Sequence, residues 1–204
     1  MSRAPKVWAG LATLLTAACT IAPAPEGGLS TADADALPPP GYGTLRQEEI
    51  SMTLRSQDLE IMVTPLAESI IVVTAPDTYD RLSGIAESHR ASAPPDGTLF
   101  LVSFYTQQPE VRFVPEEVQI LSRGLRLRPL SVSPITPTWG QRRVQQRRTE
   151  MAVYAFSSEA DLESDLALAY GLEQAGTWPA ILARVQAERA RARARAGIGT
   201  ERRR

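Results

Sequence analysis

Cysteine is almost absent: Cys19 is the only one in 204 residues. A single thiol excludes an intrachain disulfide and any cysteine-built zinc site, so stability must come from an apolar core. Lysine is equally scarce, since Lys6 is the sole example and every later cation other than His89 is an arginine. No lysine therefore remains beyond Cys19 for Schiff-base or general-base chemistry. His89 is the one histidine, without neighbouring acidic or thiol ligands, and reads as a solvated residue at a helix end. There is no glycine-flanked nucleophile elbow, phosphate loop or dinucleotide fingerprint. These absences argue against an enzyme, a metal site or a cofactor. The formal net charge of -1 gives no overall attraction to nucleic acid. What the chain does have is 43% AVILMFWYC residues, enough for one domain core.

At the N-terminus, Arg3 and Lys6 precede the nine-residue apolar run VWAGLATLL, and Thr16-Ala17-Ala18 places small residues before Cys19. This is the anatomy of a secretory signal peptide, and the run is too short to span a bilayer. The cysteine at the cleavage point resembles the lipobox of bacterial lipoproteins, although Thr16 stands where those boxes favour leucine. The resemblance implies acylation of Cys19 and a mature chain beginning there. It also implies sorting: Thr20, rather than aspartate, follows the cysteine, which points to the outer membrane, facing the periplasm, in an organism with two membranes. Residues 19–44, rich in Pro, Ala and Gly and including Pro38-Pro39-Pro40, read as an unfolded tether.

From Leu45 the pattern has period two. Ile50, Met52 and Leu54, then Leu59, Ile61 and Val63, alternate with polar residues across a Ser-Gln-Asp turn and predict a hairpin. Ser69 to Thr74, SIIVVT, is a β-branched run that predicts a strand buried on both faces or closing against a helix. Pro76 and Asp77 are helix start signals, and Tyr79, Leu82, Ile85 and Ala86 share one face, predicting a helix over 77–88. TLFLVSFYT over 98–106 predicts a central strand. Two shorter segments, 111–114 and 117–121, are separated by Pro115, which cannot donate to a ladder. Ser122-Arg123-Gly124 predicts a three-residue hairpin loop, with 125–132 returning as a strand that turns Leu125 and Leu127 inward. EMAVYAF over 150–156 and DLALAYG over 165–171 complete the strands.

Short strands with turn signals every eight to twelve residues predict a β-sandwich. From Thr98 to Gly171 the order TLFLVSFYT, VPEEVQILSRGLRLRP, EMAVYAF and LALAY resembles the immunoglobulin-like domains of small secreted bacterial proteins, including the DUF4352 type. The expected fold is thus mainly β: an Ig-like antiparallel β-sandwich over 45–172 with one inserted helix. A basic C-terminal helix and tail follow over 173–204. Thr177 is a plausible cap, Pro179 sits in the first turn, and Trp178, Ile181, Leu182 and Val185 form one apolar stripe. Beyond Val185 the Arg-Ala alternation spreads Arg184, Arg189, Arg191, Arg193 and Arg195 round the helix, so no buried face is expected there, and Gly197 and Gly199 should stop it.

The acidic residues Glu116, Glu117, Asp161, Glu163 and Asp165 read as edge-protecting charges at turns. Two basic features remain as candidate contact surfaces. One is Trp139 with Arg142, Arg143, Arg147 and Arg148. The other is the C-terminal helix, with Trp178, Ile181, Leu182, Val185, Arg189, Arg191, Arg193 and Arg195. A solvated surface competes with both. The expected role is a lipid-anchored, non-enzymatic binding or assembly protein of the cell envelope, such as an accessory subunit of a membrane-associated complex. Its expected partners are the membrane, a protein, and an anionic lipid or cell-wall polymer. Alternatives are a cell-wall or small-ligand-binding domain using the sandwich loops, and a hydrolase with an unfamiliar site.

Overall fold

The computed structural model describes residues 37–201, with side chains as far as 197. Cys19, the signal segment and most of the expected tether lie outside the described residues. Residues 37–44 belong to the folded unit, not to the tether: Pro38 and Gly43 are buried, and the Leu45 and Ala75 backbones bond Val73 and Leu45.

The domain is mainly β, as expected, with antiparallel sheets in a sandwich-like arrangement. β1 (Met52–Ser56) and β2 (Leu59–Pro65) form the expected hairpin, turning at Gln57, whose φ is 51°. β3 (Thr98–Thr106) is the central strand, hydrogen-bonded to β2 on one side and to β9 (Thr149–Phe156) on the other. β7 (Ser131–Pro134) closes that five-stranded sheet against β9. The second sheet has the order β11 (Glu173–Ala175), β10 (Leu166–Tyr170), β5 (Val118–Ser122) and β6 (Leu125–Leu127). β4 (Glu110–Arg112) and β8 (Arg143–Gln145) make a separate two-stranded ribbon. An aromatic cluster sits in the core: Phe104 stacks on Phe113 with centroids 4.5 Å apart, and Trp139 meets Phe113 at 4.9 Å.

Three details depart from the sequence reading. Ser69 to Thr74 is no strand. Glu68–Ile71 forms a single helical turn, α1, and Thr74 makes only an isolated bridge to Leu45. Both edges of β3 are already taken by β2 and β9, so no ladder is open to this run. Its backbone groups are satisfied locally, with Val72 N–H bonding Glu68 O and Thr74 Oγ1 donating to Ile71 O at 2.7 Å. Burial survives the change of structure, since Ile70, Ile71, Val72 and Val73 are all in the core. The 122–124 loop has two residues, not three: Ser122 pairs with Leu125, and Arg123 and Gly124 both take positive φ, 49° and 80°. The expected 125–132 strand splits at Pro129 into β6 and β7, which join different sheets; Leu125, expected inside, is 51% exposed on the β6 edge.

Helix α2 (Pro76–Arg90) begins at the expected proline and runs two residues past the expected end. Leu82 is fully buried, and Tyr79, Ile85 and Ala86 pack on the core. The last element, α3 (Trp178–Glu201), is longer than expected and passes through Gly197 and Gly199 without stopping. It also keeps a buried face. Trp178, Ile181, Val185, Glu188 and Ala192 are all buried, at spacings of three and four that continue one stripe along the helix. A buried glutamate at the fourth position disguised that stripe in the sequence.

Candidate interaction surface

The apolar stripe of α3 is spent inside the domain. Trp178 is fully buried with its indole N–H donated to Leu162 O at 3.1 Å, Ile181 and Val185 lie in the core, and Leu182 is half-buried against it. Its arginines are mostly turned to the same purpose. Arg184 donates to Glu49 O at 2.9 Å, Arg189 to Ser69 O at 2.8 Å, and Arg195 to Tyr42 O. Arg195 also bonds Glu188 at 2.9 Å, and Arg191 lies 3.6 Å from the same carboxylate. Arg193 is half-buried. Sequence reasoning offered these residues as a contact surface; the structure brings Trp178, Ile181, Val185, Arg184, Arg189 and Arg195 onto their own domain, where the guanidinium groups cap backbone carbonyls outside the strands, while the Arg191 side chain stays 71% exposed.

Glu188 is the centre of this contact. It is 2% exposed, and Thr44 Oγ1 donates to it at 2.7 Å. Burial pushes its carboxyl up, but the Thr44 hydroxyl and Arg195, with the charge of Arg191, outweigh that and hold it below the ordinary glutamate value. The first described segment and the last turns of α3 are thereby tied together.

The Trp139 region stays outward apart from its tryptophan. Between β7 and β9 the chain makes one excursion, anchored at its start by Ile135 and Thr136 N–H groups on Met151 O. Trp139, in a short 3-10 turn, is buried among Phe104, Phe113 and Tyr154 and pins the excursion to the core. It is unavailable for stacking on a ligand. Tyr154, beside it, donates to Pro115 O, and burial pushes its hydroxyl pKa well up.

The four arginines that follow fall into two pairs. Arg142, at a positive φ of 53°, reaches Glu116 at 2.8 Å, and Arg143 pairs with Glu110 across the β4–β8 ribbon. Gln145 Nε2 also donates to Glu110, and that bond, with Arg143, holds the Glu110 carboxyl below its ordinary value. Arg147 and Arg148 are exposed and carry no ion pair among the described residues. Arg147 takes a positive φ of 56°, and its N–H bonds Thr106 O at 2.9 Å, so the cation projects from a fixed turn at the end of β3.

That end of the sandwich gathers other turns. Thr106 Oγ1 donates to Asp58 O at 2.8 Å, joining the β1–β2 turn to the end of β3. Asp58 and Gln57 share a cleft of about 390 Å³ with Leu172, Tyr170 and Val111. Leu172 stands at the tip of the β10–β11 hairpin, after Gly171 at φ 58°, and is 100% exposed. A completely exposed leucine on a cleft lined by Arg112, Asp58, Glu117 and Glu173 has the composition of an interface patch, an apolar centre with a charged rim. The sequence reading passed over Leu172, because the strand before it drew attention to its buried alternation.

Glu150 was also missed. It lies on the core-facing side of β9, with Ala152, Tyr154 and Phe156, and is 5% exposed. Thr136 Oγ1 donates to one carboxylate oxygen and Thr138 Oγ1 to the other, each at 2.5 Å. The alternation EMAVYAF carried the signal, since it assigns Glu150 to the buried face. His89 is half-buried in the last turn of α2. Among the described residues no group of three His, Cys, Asp or Glu is arranged to hold a metal, and no helix is long and apolar enough to cross a membrane.

No protein-family model and no curated protein matches the chain. Among solved structures, it is similar to a functionally unknown protein from Listeria monocytogenes EGD-e, at 10% identity and a TM-score of 0.31, over 68% of this chain and 82% of that one.

Proposed function

We propose that the chain is a non-enzymatic binding or assembly module of the cell envelope, acylated at Cys19, that engages an acidic, partly apolar face of a protein partner through one end of its sandwich. The observation that carries this reading is the pair of features at that end: Arg147 forms no ion pair among the described residues, Leu172 is fully exposed, and Thr106 links the Arg147 turn to the β1–β2 turn whose Gln57 and Asp58 line the cleft with Leu172. Fixed turns reduce the ordering cost of association, and an exposed leucine ringed by polar groups is the anatomy of a contact centre with a rim. α3 serves this role indirectly, by completing the domain that presents the turns.

A photo-crosslinking residue at position 172, in cells, tests the reading. One discrete adduct is expected there and none from a control at exposed Thr53 on β1, and Arg147→Glu should abolish the adduct. Equal labelling at both positions, or an adduct indifferent to Arg147→Glu, overturns it. Mass analysis of the same preparation reads the acyl group on Cys19 directly.

A further inference from the structure

The excursion between β7 and β9 encloses a cleft of about 460 Å³, lined on one arm by Thr136, Pro137, Thr138 and Gln141 and on the other by Arg143, Gln145, Arg148, Thr149 and Glu150. Its size is that of a small-molecule site. Two charges of opposite sign line it, and neither forms an ion pair among the described residues. Glu150 is 5% exposed, and its side-chain partners among the described residues are two neutral hydroxyls. Arg148 is exposed and forms no ion pair among the described residues. The two do not pair with each other. An ionised carboxylate accepts about four hydrogen bonds, and Thr136 and Thr138 use one position on each oxygen, leaving one on each. A buried carboxylate without a cation is costly, and a bound ammonium would remove that cost.

We propose that this cleft binds a small zwitterion of the amino-acid or short-peptide type, its ammonium on Glu150 and its carboxylate on Arg148. Gln141 and Gln145 line the same cleft, and Glu110 bonds both Gln145 and Arg143 on its rim. The site is rigid because Trp139, inside the same excursion, is locked in the aromatic cluster. The proposal rests on the binding-module reading only for its setting, since it uses neither Arg147 nor Leu172.

Calorimetric titration of the purified chain with alanylalanine tests it. Saturable one-to-one binding is expected, and N-acetyl-alanylalanine and alanylalanine amide, each lacking one charge, should bind about tenfold or more weakly. Glu150→Gln keeps the shape, leaves one oxygen to accept from a threonine and sets an amide NH2 against the other hydroxyl oxygen, and by removing the charge should weaken the unblocked peptide by about tenfold. Arg148→Ala, at an exposed position where folding is not at stake, should do the same. No binding up to about 10 mM, equal affinity for the blocked peptides, or binding unchanged in Arg148→Ala overturns the proposal. Because no partner protein is present, failure here is separate from failure of crosslinking at position 172.

Discussion

Gly43 is where the N-terminal segment runs against the backbone of Val73 and Thr74, and a Cβ added there would fall inside contact distance of the Val73 carbonyl. Backbone cannot step aside as a side chain does, so Gly43→Ala should destabilise the domain by at least about 2 kcal/mol in denaturant unfolding. Gly84, mid-helix in α2 with open space around it, is the matching control. Gly84→Ala should stabilise by about 0.5–1 kcal/mol in the same measurement. Glu188 gives a pH dependence whose sign follows from its environment. Its folded pKa is depressed below the ordinary 4.5, so its contribution is present above that value and is lost as pH falls through the lower, folded pKa. Acid titrations of wild type and Glu188→Gln should therefore differ in stability at neutral pH and converge as pH falls below the ordinary 4.5 and through the lower, folded pKa. Curves that stay parallel throughout would show that Glu188 does not anchor α3 electrostatically.

α3 is the element whose role changed most between sequence and structure. An Arg-Ala repeat suggests a helix without a buried face, yet the stripe persists through Glu188 and Ala192, because a carboxylate with two arginines and a threonine around it can be buried. Trp178→Ala removes the largest fully buried side chain and should cost about 3–5 kcal/mol, read by thermal or denaturant unfolding. A truncation before Thr177 is expected to unfold the domain and so cannot serve as a clean test of partner contact. The strands were easier to read. β3, β9 and β10 announce themselves through length and alternation, and β1–β2 through a polar turn between two alternating runs. The misread pieces are those decided by distant pairing. Ser69 to Thr74 lost its strand because β3 had no free edge, and Leu125 lost its burial because β6 ends its sheet. The basic loop was legible from composition, whereas the Glu150–Thr136–Thr138 contact required the β7–β9 register to bring residues twelve and fourteen positions apart together.

Charge is distributed unevenly over the whole molecule. Residues 178–204 hold eight arginines against Glu188 and Glu201, while residues 37–177 hold twelve arginines against eighteen acids. Within α3 itself five arginines face two glutamates, so an element of net +3 packs on a body of net -6, and the overall value of -1 conceals it. The Arg195 bond to Tyr42 O and the Glu188 bond to Thr44 place the incoming chain beside the late turns of α3. Near an anionic bilayer each arginine contributes on the order of 1 kcal/mol, screened within a Debye length. Arg184, Arg189 and Arg195 are engaged with carbonyls, so the test of lipid attraction removes the three further arginines of the sequence, 202–204. Unacylated chain from residue 20 onward should therefore co-sediment with anionic vesicles at about 50 mM NaCl and be released by about 500 mM. Deleting residues 202–204 should weaken that binding by about tenfold or more. Binding that ignores salt, or that survives the deletion unchanged, would mean that the charge asymmetry serves only to dock α3 on its own sandwich.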